Sequence, residues 1–387
     1  MIGISWIERI APLIEYKNIC RTHQVYSYPY TTADIRIANI DGTNARILVN
    51  ERIQIHYANF LPNGQKIVFV QEGFFWGGTP PTLYSMNPDG SDRRVLRILN
   101  YFPYANSLEY EDQTRTCLLT PDSRYMLYIG YDDNTRSSRN ILRVALDGSQ
   151  ITNLTQVNTS GHMIADMALS DDGQHIIYTE YDGQVVNDEY RLCMIDINGG
   201  QRQVLKTMRG NKILFPHFLP TDNNGVVYIS RSFQDANIGA LHLLSIRDTS
   251  DDKIKASVSG ACKSTAISAD NKLVYLDSTY YSAGYYADFK VVNLRNGTTQ
   301  ILKLPNQGNV LSSVDKTIFS VKFYSNFWTG RFDGSLLSSI NINTDVDAKP
   351  FVKGERLSGG NTVRSVFTSP DNNRIIYIIS VSREVWS

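Results

Sequence analysis

The chain has 387 residues and six histidines, His23, His56, His162, His175, His217 and His242, so metal or general-base chemistry must draw on a short list. A divalent cation needs several His, Cys or carboxylate ligands converging on one point. His56, His162 and His217 are the candidate ligands, because each lies just before or within a segment that reads as the innermost strand of a repeat. No histidine follows His242, and no GxSxG elbow is present to expose a nucleophilic serine. "NPDGSD" (87–92) and "DTSDD" (248–252) offer oxygen ligands without EF-hand spacing and read as turns. The expectation is a non-catalytic chain without a cofactor.

The second chemical resource is aromatic. "STYYSAGYYADF" (278–289) places four tyrosines and a phenylalanine in twelve residues that read as a loop. "EGFFWGGTPP" (72–81), "FYSNFWTGRF" (323–332) and the insertion "LNYFPYANSLEYEDQTRT" (99–116) read the same way, whereas the equivalent "GYDDNTRSSRN" and "SRSFQDANIG" are polar. The candidate partner-binding residues are therefore Phe74, Phe75, Trp76, Tyr104, Tyr280, Tyr281, Tyr285, Tyr286, Phe327 and Trp328, with Trp386 beside them. Clustered exposed aromatics supply large contact area at low entropic cost, which suits a protein or peptide partner or a sugar.

What must position these groups is a repeat. A polar turn followed by a β-branched and aromatic run recurs as "YANFLPNGQKIVFV", "CLLTPDSRYMLYIG", "MALSDDGQHIIYTE", "FLPTDNNGVVYIS", "AISADNKLVYLD", "LSSVDKTIFSV" and "FTSPDNNRIIYIIS", spaced by roughly 45 to 60 residues. An aromatic returns at one slot, as Phe69, Tyr128, Tyr178, Tyr228, Tyr275, Phe319 and Tyr377. Between copies lies a second turn: "NPDGS" (87–91), "DGS" (147–149), "NGG" (198–200), "DTSDD" (248–252), "NGT" (296–298) and "NTD" (343–345). Two hairpins per repeat make a four-stranded antiparallel blade. The chain ends two strands into its last repeat, and "DIRIANIDGTNARILV" (34–49) supplies the missing pair. The expected fold is all-β: a seven-bladed propeller of four-stranded blades spanning residues 34–387, its last blade closed by N-terminal strands, with residues 1–33 unassigned.

Composition narrows the partners. Lys plus Arg and Asp plus Glu are both 38, so no net field draws the chain to phosphate or anionic lipid, and nucleic acid is not an expected partner. No apolar run approaches the roughly 18 residues that span a bilayer, and Glu8 and Arg9 interrupt the opening segment, which is a poor signal peptide. The four cysteines are widely spaced without CxxC and read as small buried hydrophobes.

"NFLPNGQKIVFV…LYSMNPDGSDRRVL" and "TSPDNNRIIYI" resemble the WD40-like PD40 repeat of TolB-type β-propellers. The resemblance covers residues 34 to 387 and implies the propeller architecture, with a periplasmic or extracellular setting. TolB itself has six blades and an N-terminal domain for which residues 1–33 are too short. "FPHFLPTDNNGVVYIS" is also similar to a repeat of the oligogalacturonate lyases, seven-bladed propellers in which channel-facing histidines hold manganese beside a basic arginine. That likeness implies an oligosaccharide-binding or lyase-like alternative, from which the histidine-free later repeats depart.

Overall fold

A computed structural model describes residues 28–51, 54–72, 80–99, 117–131, 138–157, 161–182, 189–200, 202–235, 238–254, 258, 262, 264–281, 284–302, 309–312, 316–323, 326–333, 335–341, 355–357 and 362–385. Every regular element among them is a β-strand. Six four-stranded antiparallel sheets follow one another at 54–98, 117–153, 162–209, 211–254, 265–302 and 309–341. In each, the strands lie side by side in chain order. The expectation of seven four-stranded blades is thereby corrected to six. The sheet that joins the ends of the chain is built differently, from five strands.

In that closing sheet, Tyr28–Asn39 pairs along its whole length with Arg374–Val385, from Tyr28 opposite Val385 to Asn39 opposite Arg374. Arg46–Glu51 flanks the first strand, while Glu355–Leu357 and Thr362–Thr368 both pair with the last. The first described strand starts at Tyr28, six residues before the boundary read from the repeat. The N-terminal strand thus closes the ring by covering an edge that would otherwise be open.

The core lies between sheets. Each recurring aromatic is buried in its own cluster, formed with the preceding sheet: Phe69 with Ile35 and Ile376, Tyr128 with Val68 and Leu83, Tyr178 with Leu127 and Ile141, Tyr228 with Ile177 and Leu192. Tyr275 packs in the same way with Leu214 and Leu241, Phe319 with Val274 and Phe289, and Tyr377 with Phe327. A large ring at one position of every repeat therefore fills every seam of the ring of sheets. Fourth strands are largely exposed, as in Arg94–Ile98 and Gln203–Arg209, and form the outer rim.

Hydroxyl and carboxamide groups shape the turns. Between first and second strands, Thr120, Ser170, Ser268 and Ser369 each donate their hydroxyl to the aspartate two residues on. The same oxygens accept the backbone N–H groups of Tyr125, His175, Lys272 and Arg374. Between third and fourth strands, Asp41, Asp89, Asp147, Asp248 and Asp333 accept the backbone N–H two residues ahead. These are Asx and Ser/Thr turns, for which the sequence spends its Ser-x-Asp and Asp-Gly-Ser motifs. The segments 87–92 and 248–252 are accounted for in this way.

Two turn assignments are corrected. The sixth sheet turns at Asp333–Ser335, where the backbone N–H of Arg331 reaches the carbonyl of Ser335 at 2.9 Å, so "NTD" (343–345) is not that turn and lies outside the described residues. "STYYSAGYYADF" is not a loop either: it is carried by the paired strands Lys272–Tyr281 and Gly284–Asn293.

Candidate functional site

Among the described residues, the hairpin of the fifth sheet extends past both of its flanking strands. Its strands pair in an uninterrupted register from Lys272 opposite Asn293 to Tyr281 opposite Gly284. The inner neighbour Thr265–Ile267 reaches only Tyr275, and the outer neighbour Thr299–Leu302 only Phe289. Beyond those points residues 276–281 and 284–288 form a two-stranded arm, and no other strand among the described residues pairs with its outer edges. β-branched and aromatic residues such as Thr279 and Tyr280 favour this extended backbone. Tyr280 lies opposite Tyr285 and Thr279 opposite Tyr286, so Tyr280, Tyr281, Tyr285 and Tyr286 all belong to the arm.

The other predicted contact residues part company. Phe327 and Trp328 lie on Asn326–Arg331, the third strand of the sixth sheet, and are 0% and 4% exposed. Phe327 packs on Tyr377 with ring centroids 5.1 Å apart, and Trp328 joins Val274, Phe289, Val291 and Phe319. They are core, not contact surface. The Asp-Gly-Ser triplet at 333–335 is the signal that would have placed them on a strand. Phe74, Phe75, Trp76, Tyr104 and Trp386 lie outside the described residues.

The candidate histidines are held apart on three sheets. His162 opens the first strand of the third sheet, and its Nε2 is 3.2 Å from Oε2 of Glu180, a fully buried carboxylate that also meets the guanidinium groups of Arg191 and Arg202. Burial, reinforced by the Arg202 and Arg191 charges, holds the His162 imidazole below its ordinary pKa. His217, on the fourth sheet, is buried with its Nε2 2.8 Å from Oγ1 of Thr265 on the fifth. His56 lies on the first sheet. Among the described residues, no group of three or more His, Cys, Asp or Glu side chains could hold a metal ion.

One arrangement escaped the sequence reading. On the fourth sheet, Ser230 Oγ is 2.9 Å from His242 Nε2, and His242 Nδ1 is 3.3 Å from Asp251 Oδ1. The residue types are those of a hydrolytic triad, but Ser230 and His242 are buried in the seam toward the third sheet. Asp251 also accepts the Tyr228 hydroxyl at 3.0 Å and the Lys206 ammonium at 2.7 Å. Burial opposes ionisation of Asp251, yet Lys206, His242 and Tyr228 together hold its carboxyl below the ordinary range. With the Tyr228 and His242 rings stacked at 4.7 Å, the row is a polar buttress between sheets.

The first-to-second-strand turns gather at one mouth of the ring. Asn63 bonds Ser123, Asn223 bonds Asp172, Asn271 bonds Thr221 and Asn372 bonds Thr317, each across a seam. Lys316 of the sixth sheet pairs with Asp171 of the third, a contact between sheets that are not neighbours. A cleft of about 210 Å³ between the second and third sheets is lined by Asp122, Arg124, Tyr125, Asp172 and Asn198. Its two carboxylates are already bonded within their own turns.

No family model matches this chain, and no curated protein matches it. Among solved structures, an oligogalacturonate lyase in complex with manganese is similar with a TM-score of 0.60 at 13% identity, over 93% of this chain and 98% of that one. An oligogalacturonate lyase from Vibrio parahaemolyticus gives 0.60 at 15% identity, over 90% and 97%. The fold is a β-propeller. A TolB structure from Agrobacterium tumefaciens is similar at a lower TM-score, 0.48, with 13% identity over 90% of this chain and 98% of that one. At such identities a likeness speaks for the fold alone, since one propeller serves many activities.

Proposed function

We propose that the chain is a non-catalytic binding propeller that presents the fifth-sheet arm to a protein or peptide partner. The ring of sheets, closed by the five-stranded sheet that joins the chain ends, is the rigid frame of this reading. The observation that carries it is the length of the hairpin: ten residues pair on each strand, while among the described residues the flanking strands pair no further than Tyr275 and Phe289. A paired backbone continued past its own sheet, bearing four tyrosines, is spent on something outside that sheet. Phe74, Phe75, Trp76 and Tyr104 are proposed to widen the contact.

Site-specific photo-crosslinking tests the reading. A benzoylphenylalanine at Tyr280 or Tyr285 of the full chain, irradiated in the native host, is expected to give a discrete adduct with another protein. The same probe at Asn296, on a third-to-fourth-strand turn, is the control. Equal labelling from all three positions, or none from the arm, contradicts the reading.

The oligosaccharide alternative draws on the fold likeness to the lyases and on the stacking capacity of tyrosine. Metal analysis of the purified chain separates the two, because stoichiometric manganese would favour a lyase-like role using His56, His162 or His217.

A further inference from the structure

We infer that Lys316 and Asp171 form a strap that holds a cap of four turns closed over one mouth of the ring, and that screening or removal of either charge releases the cap.

Two departures from the repeat locate the strap. Six first-to-second-strand turns carry the quartets "LPNG" (61–64), "TPDS" (120–123), "SDDG" (170–173), "SADN" (268–271), "SVDK" (313–316) and "SPDN" (369–372). The last residue of every quartet has a left-handed backbone, with φ between 54° at Asn372 and 71° at Gly64. Glycine and asparagine adopt it readily, whereas a lysine is held there against the crowding of its own Cβ. Lys316, at φ 58°, is the one charged residue at that place. At the second place the other five quartets have proline, alanine or valine, and Asp171 is the one charged residue. The two exceptions meet, Lys316 Nζ on Asp171 Oδ1. A side chain kept at a strained position and reaching the other exception points to a use for the contact.

The pair completes a cycle. Asn223 donates to the Asp172 carboxylate at 3.1 Å, joining the turns of the fourth and third sheets. Asn271 donates to the Thr221 hydroxyl and joins the fifth to the fourth, and the Ala269 N–H donates to the carbonyl of Lys316 at 3.1 Å and joins the fifth to the sixth. The Lys316 ammonium then returns from the sixth sheet to the third, past the two sheets between them. Four turns are thereby tied in a loop at the mouth, by three bonds between neighbours and one ion pair across it. The Lys316 and Asp171 side chains are 21% and 40% exposed, so dissolved salt reaches and screens the pair. An ion pair so exposed adds little to global stability, and its effect belongs to local opening of the turns it joins. Lys272–Tyr281 runs from this cap into the arm, so on the reading of the arm as a contact site a segment docking there meets a ring closed at its far mouth. The strap itself does not depend on that reading.

Amide hydrogen exchange on the full chain tests the strap. Lys316→Asn, which suits the left-handed backbone, and Asp171→Asn are each expected to speed exchange of the Ala269 and Asn271 amides at least fivefold. The Gly64 and Ser123 amides, in the equivalent turns of the first and second sheets, should keep their rates. About 1 M sodium chloride is expected to reproduce the variants' effect in the unaltered chain. The charge swap Asp171→Lys with Lys316→Asp should restore slow exchange at low salt. Unchanged rates at Ala269 and Asn271 in both variants overturn the inference. Equal acceleration at Gly64 and Ser123 overturns it as well, since the variants would then loosen the whole ring. A swap that fails to restore slow exchange, while each single variant speeds it, means that the two residues act separately and no strap exists.

Discussion

Trp328 is a residue whose type suggests a contact surface and whose environment makes it core. The indole sits in the seam between the fifth and sixth sheets, so Trp328→Ala is expected to cost about 3 to 5 kcal/mol in urea unfolding, as is Tyr228→Ala in its own seam. A loss below 1 kcal/mol for either would place it outside the core. The aromatic slot of the repeat was legible in the sequence because the same residue type recurs at one position of every copy. Phe327 and Trp328 were misplaced because the two-residue interval between Phe323 and Asn326 makes two short strands read as one aromatic loop. The Ser230, His242 and Asp251 row was illegible for another reason, since its members come from three strands that only the sheet register brings together.

The turn aspartates carry a pH signature. Hydroxyl donors from Thr43, Ser91, Ser149, Ser170, Ser335 and Ser369 hold Asp41, Asp89, Asp147, Asp172, Asp333 and Asp371 below the ordinary carboxylate range. The unfolded carboxyls take up protons first, near pH 3.9, so this stabilisation is present above that value and lost as pH falls through the lowered native values. His162 acts in the same direction: the unfolded imidazole protonates near pH 6.5 while the buried native one resists. The urea midpoint is therefore expected to decline modestly below about pH 6.5 and steeply below about pH 4. A midpoint unchanged between pH 5 and pH 3 would contradict this.

Among the elements, the seams are tied by backbone as well as by rings. Arg46 donates to the carbonyl of Asp89 at 2.9 Å, Arg97 to that of Gly148 at 3.1 Å and Arg143 to that of Ile197 at 2.8 Å, each bridging to a turn of the next sheet. Gly148 has φ of 80°, and a Cβ there would stand 2.3 Å from the carbonyl oxygen of Leu96. Gly148→Ala combines a left-handed backbone with a clash against another sheet's main chain, and is expected to cost about 1 to 3 kcal/mol. A neutral result would mean that the first and second sheets are not in register at this seam. The element-level pattern of strand, Asp-Gly-Ser turn and strand was readable because turn chemistry is local. The hairpin extension was not, because polar and small residues such as Ser278 and Gly284 suggest a loop, and only continued pairing with the facing strand makes them an arm.

At the scale of the whole molecule, the repeat and its phase shift were enough to anticipate that the two ends of the chain meet. They could not show that the meeting sheet has five strands, because Glu355–Leu357 pairs with the far end of Arg374–Val385 outside the repeat pattern. A closed ring carries an arm whose outer edges no described strand pairs, and amide hydrogen exchange on the full chain tests both parts at once. Amides of Tyr28–Asn39 and Arg374–Val385 should exchange as slowly as the central strands of the other sheets. Along residues 276–281 exchange should alternate, with inward N–H groups protected by the hairpin and outward ones exchanging at near-unprotected rates. Uniform protection of that edge would mean the chain already covers it, and rapid exchange in the two terminal strands would mean that the ring is not closed.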